Sequence, residues 1–208
     1  MLPAKNRPGK VHENKEKTAM AKINISDKIF AFVPITTQTI LGSHVQGKAN
    51  FMALGWLTRC NFKPPMIAIA VNLSNQSCTG ILDNDEFSVN VPSTDMVGIT
   101  DYTGLVSAKK TDKSDLFEIF YGQLKSAPLI KECPINVECR VVEKVKLPTN
   151  YVFVGEVVGV HAEESLLTDG HPDPEKVNPF VLSMPDNRFW GLGDCVGRAW
   201  HEGKSFKK

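Results

Sequence analysis

Nowhere in the 208 residues does an apolar run approach the roughly 20 residues that a membrane-spanning helix needs. Lys5, Arg7, Lys10, Glu13, Lys15, Glu16 and Lys17 break up the opening segment, which therefore lacks the apolar stretch of a secretory signal. Charge of one sign is missing too. Lys and Arg total 24 against 23 Asp and Glu, a net charge of +1, which argues against a nucleic-acid binder working through a strong basic field. Cysteines at metal or redox spacing are absent. The five present (Cys60, Cys78, Cys133, Cys139, Cys195) form an odd set with no C-x-x-C, so no disulfide framework, zinc site or thioredoxin-type pair is expected. A soluble protein of a reducing cytoplasm, with no membrane or nucleic-acid partner and no metal, is the expectation.

Catalytic signatures are equally scarce. There is no G-x-S-x-G elbow and no H-E-x-x-H helix. Gly42 to Lys48 (GSHVQGK) has the glycine and lysine spacing of a phosphate-binding loop, but Ala49 stands where a hydroxyl should hold magnesium. A strand and two prolines follow, whereas that motif must open a helix, so a glycine-containing hairpin is the better reading. Gly191, Gly193 and Gly197 miss the dinucleotide spacing because position 196 is Val, and no Rossmann unit follows them.

What is present is uneven. Residues 1–28 carry seven basic and three acidic groups, and no aromatic residue occurs before Phe30. Such a segment cannot bury enough apolar surface to offset its ordering, so a flexible basic arm is expected at 1–28 and a single folded domain at 29–208. From Phe30 the chain reads as β-structure. Candidate strands are 29–37, 49–59, 66–72, 86–91, 135–147 and 151–163, with a final pair around the turn Pro185, Asp186, Asn187. A short helix capped by Ser74 or Asn75 should run to Leu82, and another should lie near 95–102. Six or seven strands, mostly antiparallel, would close into a small barrel with the helices at its rim. In the strand 151–163, alternation puts Phe153, Gly155, Val157, Gly159 and His161 on one face, where the glycines leave room for a backbone or a ligand.

The order of several motifs carries more than any one of them. ANFMALGWLTR at 49–59, NFKPP at 61–65 running into MIAIAVN, SCTGIL at 77–82, FSVNVPSTD at 87–95, DYTGLVSAKKTDK at 101–113, APLIKECPINVECRVVE at 127–143 and FVGEVVGVHAEE at 153–164 resemble, in this order, the flavoredoxin-like flavin reductases. The resemblance covers nearly all of 29–195 and implies a mainly β fold, a six-stranded antiparallel Greek-key split barrel with a few short helices. It also implies a homodimer that binds FMN. Carried over by position, Asn50, Met52, Trp56 and Thr58 would line the flavin, and Ser77 and Thr79 would meet its phosphate. Lys113, His161, Phe189 and Trp190 complete the implied cofactor set. Ala108 and Lys109 depart from the family's Gly and Arg, which leaves open which of Lys109, Lys110 and Lys113 reaches the phosphate.

Residue chemistry suits these roles. A helix N-terminus offers free amides and a partial positive charge to a phosphate. Trp56 offers a flat apolar face and an indole N–H. The implied activity is an oxidoreductase that takes hydride from NAD(P)H and passes electrons to a free flavin, iron or a redox protein. No catalytic side chain is required, because the flavin supplies the chemistry. The alternative is a flavoredoxin-type electron carrier that holds FMN without direct NAD(P)H turnover.

Overall fold

The computed structural model describes Asn24 and residues 35–206. Asn24 apart, the expected arm at 1–28 lies outside the described residues, as does the run 29–34. In chain order come β1 (Ile35–Thr37), β2 (Thr39–Val45), β3 (Lys48–Leu54), β4 (Leu57–Asn61), β5 (Met66–Asn72), α1 (Gln76–Asn84), β6 (Glu86–Val91) and α2 (Val97–Leu105). They are followed by β7 (Ile119–Phe120), β8 (Leu129–Ile130), β9 (Ile135–Lys146), β10 (Asn150–Ala162), β11 (Leu167–Thr168), β12 (His171–Pro172), α3 (Pro174–Val177), β13 (Phe180–Ser183) and β14 (Arg188–Gly191).

Seven strands form one antiparallel sheet in the order β3-β2-β6-β9-β10-β5-β4. Its two edge strands, β3 and β4, are consecutive in the chain and joined only by Gly55 and Trp56. Three Cα steps reach at most about 11 Å, whereas seven strands laid flat would set the edges about 29 Å apart. The sheet must therefore curl until the end of β3 meets the start of β4. Trp56 stays attached to the far side at this corner, its carbonyl accepting from the Ala70 amide at 3.0 Å. Among the described residues the edges do not hydrogen-bond to each other, so the sheet is curled, split and seven-stranded, where the strand pattern suggested a closed barrel of six or seven strands and the resemblance a split barrel of six. The run 49–59, expected as one strand, is cut in two at the same corner.

Inside the curl lies a core of Leu41, Leu54, Ile69, Val71, Phe87, Val89 and Phe153, closed at one end by Cys78 and Ile81 of α1. A second cluster, with Ile40, Phe51, Met96, Phe117 and Ile130, packs the segment after β6 onto the opposite face of the β2–β3 hairpin. That hairpin turns at Gln46 and Gly47, both at positive φ (51° and 77°), the type I′ geometry that matches strand twist. The glycine-and-lysine stretch at 42–48 is thus a hairpin.

Simple alternation holds along β10 only as far as Val157. At the register shift between Val154 and Gly155 the extra residue is Val142 of β9, and Phe153, Gly155 and Val157 share the core face; at the shift between Val157 and Gly159 it is Val158 of β10, which re-aims the residues beyond. Gly155 faces the core, where a Cβ would stand 2.6 Å from the Phe87 ring, while Gly159 faces the Glu138 carboxylate. The two glycines therefore make room for different neighbours, and for protein atoms in both cases.

Candidate functional site

A surface cleft runs along β3 from the β2–β3 turn to the corner at Trp56, in three lobes of about 320, 220 and 270 Å³. The first is lined by Lys48, Lys109, Lys110 and Lys113 among others, and meets the central lobe at Asn50, Ala108 and Lys113. The central lobe adds Asn75, Gln76, Ser77, Thr103 and Ser107, and meets the third at Met52, Ala53 and Asn75. The third lobe is walled by Trp56, Ala70, Asn72 and Asn150.

The central lobe has an unusual polar inventory. Asn50, on β3 and only 4% exposed, donates from Nδ2 to Ser77 Oγ at 2.8 Å, and its Oδ1 is buried with no hydrogen-bond partner. A buried amide oxygen left unpaired costs about 1 to 3 kcal/mol unless a ligand or water donates to it. Ser77 belongs to the first turn of α1, whose N-cap Asn75 makes no side-chain cap bond and which has no acidic residue in that turn. The first amides of a helix have no partner within it, so this end offers donors and a positive partial charge to the cleft. Asn75 instead turns its side-chain amide to Met52 Sδ at 3.1 Å. That contact ties the helix start to the cleft floor, a different use of Asn75 from the expected cap.

Lys113 completes the lobe. Only 4% exposed, it donates from Nζ to the carbonyls of Thr103 (3.2 Å) and Val106 (3.1 Å) at the end of α2. An ammonium has three donors, so one remains for a ligand. Burial pushes its pKa down to about 8, because no carboxylate among the described residues pairs with it. By contrast, Lys48 is held by Asp112 at 2.6 Å at the surface. A buried cation with a spare donor and uncapped helix amides suit a phosphate, and the orphaned Asn50 Oδ1 beside them suits an N–H or O–H of the same ligand. The apolar wall at Trp56 suits a flat ring attached to it.

The structure thus brings together Asn50, Met52, Ser77 and Lys113, with Trp56 at the far lobe. Thr58, Thr79, His161, Phe189 and Trp190 line none of the three lobes. Thr58 faces outward on β4 and donates to the Arg59 carbonyl, and Thr79 is exposed a half-turn past Ser77. Phe189 packs edge-on against Phe180, and Trp190 Nε1 donates to Ser183 Oγ at 2.7 Å within the small β1-β13-β14 sheet. His161 makes two protein contacts. Its Nε2 lies 2.8 Å from Oε1 of the fully buried Glu138, with its ring edge-on to Phe120. Glu138 Oε2 also accepts the Leu124 amide at 2.7 Å, so the pair fastens the 120–124 segment to β9 and β10. Glu138→Ala strands the Leu124 amide and the imidazole together and is expected to destabilise the fold by about 2 kcal/mol, measured by urea unfolding. A variant as stable as the parent would remove the pair from the structural framework.

Three cleft groups escaped the reading of the sequence: the Asn75 amide, and the Thr103 and Val106 carbonyls that hold Lys113. Only the polar composition of 72–77 hinted at the first, and nothing in a sequence marks a carbonyl.

Among known proteins, residues 35–175 match the family model described as flavin reductase like domain. A flavoredoxin structure from Methanosarcina acetivorans is 51% identical, covers 90% of this chain and 100% of its own, and superposes with a TM-score of 0.86. The flavoredoxin of Desulfovibrio vulgaris is 26% identical, with coverage of 88% and 100% and a TM-score of 0.80. An uncharacterized protein of Archaeoglobus fulgidus is 31% identical over 128 residues, 61% of this chain and 72% of that protein.

Proposed function

Because the chain belongs to the flavin reductase-like family, we propose that it binds FMN in the cleft and works as a homodimeric oxidoreductase of flavin reductase type. Electrons would come from NAD(P)H and leave to a free flavin, iron or a redox protein. The observation that carries this is the central lobe, where Asn50 Oδ1 is unpaired, the start of α1 has no side-chain cap and Lys113 keeps one donor beyond its two carbonyls, which a flavin phosphate and polar edge would fill. Lys113 Nζ and the α1 amides bind the phosphate, Ser77 with its hydroxyl proton free donates beside them, and Asn50 Oδ1 accepts. Met52 and Trp56 give the ring an apolar seat. When bound, FMN supplies the acceptance of hydride and the release of electrons. The residues around it orient it and hold water away, so none of them needs to titrate during turnover. The five free thiols support the cytoplasm as the place of work.

Kinship to a flavoredoxin at 51% identity favours a second reading, an electron carrier that keeps FMN and meets protein partners. Two measurements test both readings. Titration of the purified chain with FMN should quench flavin fluorescence with 1:1 stoichiometry, and absence of binding would end both. Anaerobic mixing of the loaded protein with NADH, and separately NADPH, should bleach the flavin absorbance within seconds for the reductase. No bleaching would leave the carrier.

A further inference from the structure

Beyond β14 the chain runs on through residues 192–206, and every one of them is exposed. Val196 is 101% exposed, Trp200 95% and Phe206 87%, with Leu192 at 53%. The segment is nonetheless shaped. It ends in a 3₁₀ turn at Glu202–Ser205, and Glu202 accepts from the Arg198 amide. Every hydrogen bond it makes among the described residues stays within it, and pairing with the body stops at Gly191. A shaped segment carrying bare aromatic side chains gains nothing from its own domain, so its cover must come from elsewhere. It also lies outside residues 35–175, the part matched by the family model.

The same chain has a second uncovered apolar feature. β4 is the open edge of the sheet, paired only with β5, and it is flanked by Trp56 (48% exposed) and Phe62 (86%). An exposed strand edge of this kind invites association. Among the described residues no hydrogen bond joins 192–206 to its own β4, and Val196, Trp200 and Phe206 stay bare. Two copies related by a two-fold axis cover both features at once, each arm lying on the other's edge, which is how an isologous interface closes. The area is adequate. A buried aromatic hides roughly 150 to 250 Å², so Trp200 and Phe206 with Leu192 and Val196 approach the roughly 800 Å² per partner of a standard interface.

Trp56 stands both at the head of β4 and in the wall of the third cleft lobe. We infer that the C-terminal arm at 192–206 crosses to a second copy of this chain and covers its β4 edge, with Trp200 closing the partner's cleft beside Trp56. The cleft is then incomplete in one copy, and the arm is what excludes water from its ring end. This rests on the FMN and homodimer reading above.

Oligomeric state, cross-linking and FMN titration test it together. By light scattering the full chain should be a dimer, and the chain ending at Gly191 a monomer with at least tenfold weaker FMN binding. Trp200→Ser should weaken FMN binding in the same direction while leaving the unfolding midpoint of the monomeric body in place. Cys60 on β4 and Cys195 on the arm are the exposed thiols among the described residues. A bis-maleimide should therefore join Cys60 to Cys195, and in mixed ¹⁵N- and ¹⁴N-labelled protein the joined peptides should include hybrid pairs. A dimer that survives removal of the arm with unchanged FMN affinity, or Cys60–Cys195 links confined to one copy, overturns the inference. Full-length protein that binds no FMN defeats the flavin reading instead, and the cross-link and oligomeric state still decide where the arm lies.

Discussion

Gly80→Ala should cost the protein about 3 kcal/mol of stability and most of its FMN affinity, although the change adds a single methyl group to a helix that would ordinarily welcome it. Gly80 lies on the buried face of α1, where a Cβ would stand 2.1 Å from the backbone carbonyl oxygen of His44 and 3.1 Å from Val45 Cγ2 on β2. A side-chain tip could swing aside, but this is a backbone carbonyl of β2, on a residue whose amide is itself held by the Ser126 carbonyl at 3.2 Å, and it cannot move without distorting the strand. The helix must therefore lift off the sheet. Its first turn carries Ser77, whose hydroxyl meets Asn50 at 2.8 Å, and the amides that face the central lobe, so the lift opens the proposed phosphate seat along with the core around Ile81. Urea unfolding with and without FMN separates the two effects. A variant with parental stability would show that α1 is free to shift, and parental FMN affinity in a destabilised variant would show that the helix start does not hold the phosphate.

This coupling explains which parts of the molecule the sequence could reveal. The stretches 66–72 and 86–91 are strands bounded by prolines, polar turns or a helix, and the structure places them at those residues. β9 and β10 begin and end within a residue of the expected limits, because Pro148 and Thr149 mark their turn. The split of 49–59 into β3 and β4 was hidden, since ANFMALGWLTR reads as one apolar run and only the curl of the sheet puts its halves on opposite edges. The bulges at Val142 of β9 and Val158 of β10 were hidden for a similar reason. Alternation assumes a regular partner, and the irregularity lies in how β10 meets β9. The contact of His161 with Glu138 was hidden as well, since the two lie 23 residues apart in sequence and no local pattern marks the pair. Asn50 and Ser77 were assigned separately to ring and phosphate. Their direct hydrogen bond places them side by side in the central lobe.

The choice among Lys109, Lys110 and Lys113 turns on burial, and it carries the second large effect. Lys109 and Lys110 are exposed on the outer lobe, while Lys113 is enclosed with its ammonium on two carbonyls. Lys113→Met keeps the stem and removes the charge, and it should weaken FMN binding by about 1 to 3 kcal/mol, roughly 5- to 150-fold. Lys109→Ala should change FMN binding far less. The pH dependence is more telling, because stability and binding should move in opposite directions. Desolvation lowers the Lys113 pKa from 10.5 to about 8. Below that pH both folded and unfolded chains hold the proton, and the cost of burying the charge is fully present. Between about 8 and 10.5 the unfolded chain keeps a proton that the folded chain has released, so the stability of the free protein rises with pH across this window. A phosphate in the cleft favours the charged ammonium and draws the proton back, so FMN binding takes up a proton above pH 8. Affinity should then fall by up to tenfold per pH unit as Lys113 discharges. In Lys113→Met both slopes should flatten over the same range. An FMN dissociation constant that stays level from pH 7.5 to 9.5 in the parent protein would place the phosphate beyond the reach of Lys113 and return the choice to the exposed lysines of the outer lobe.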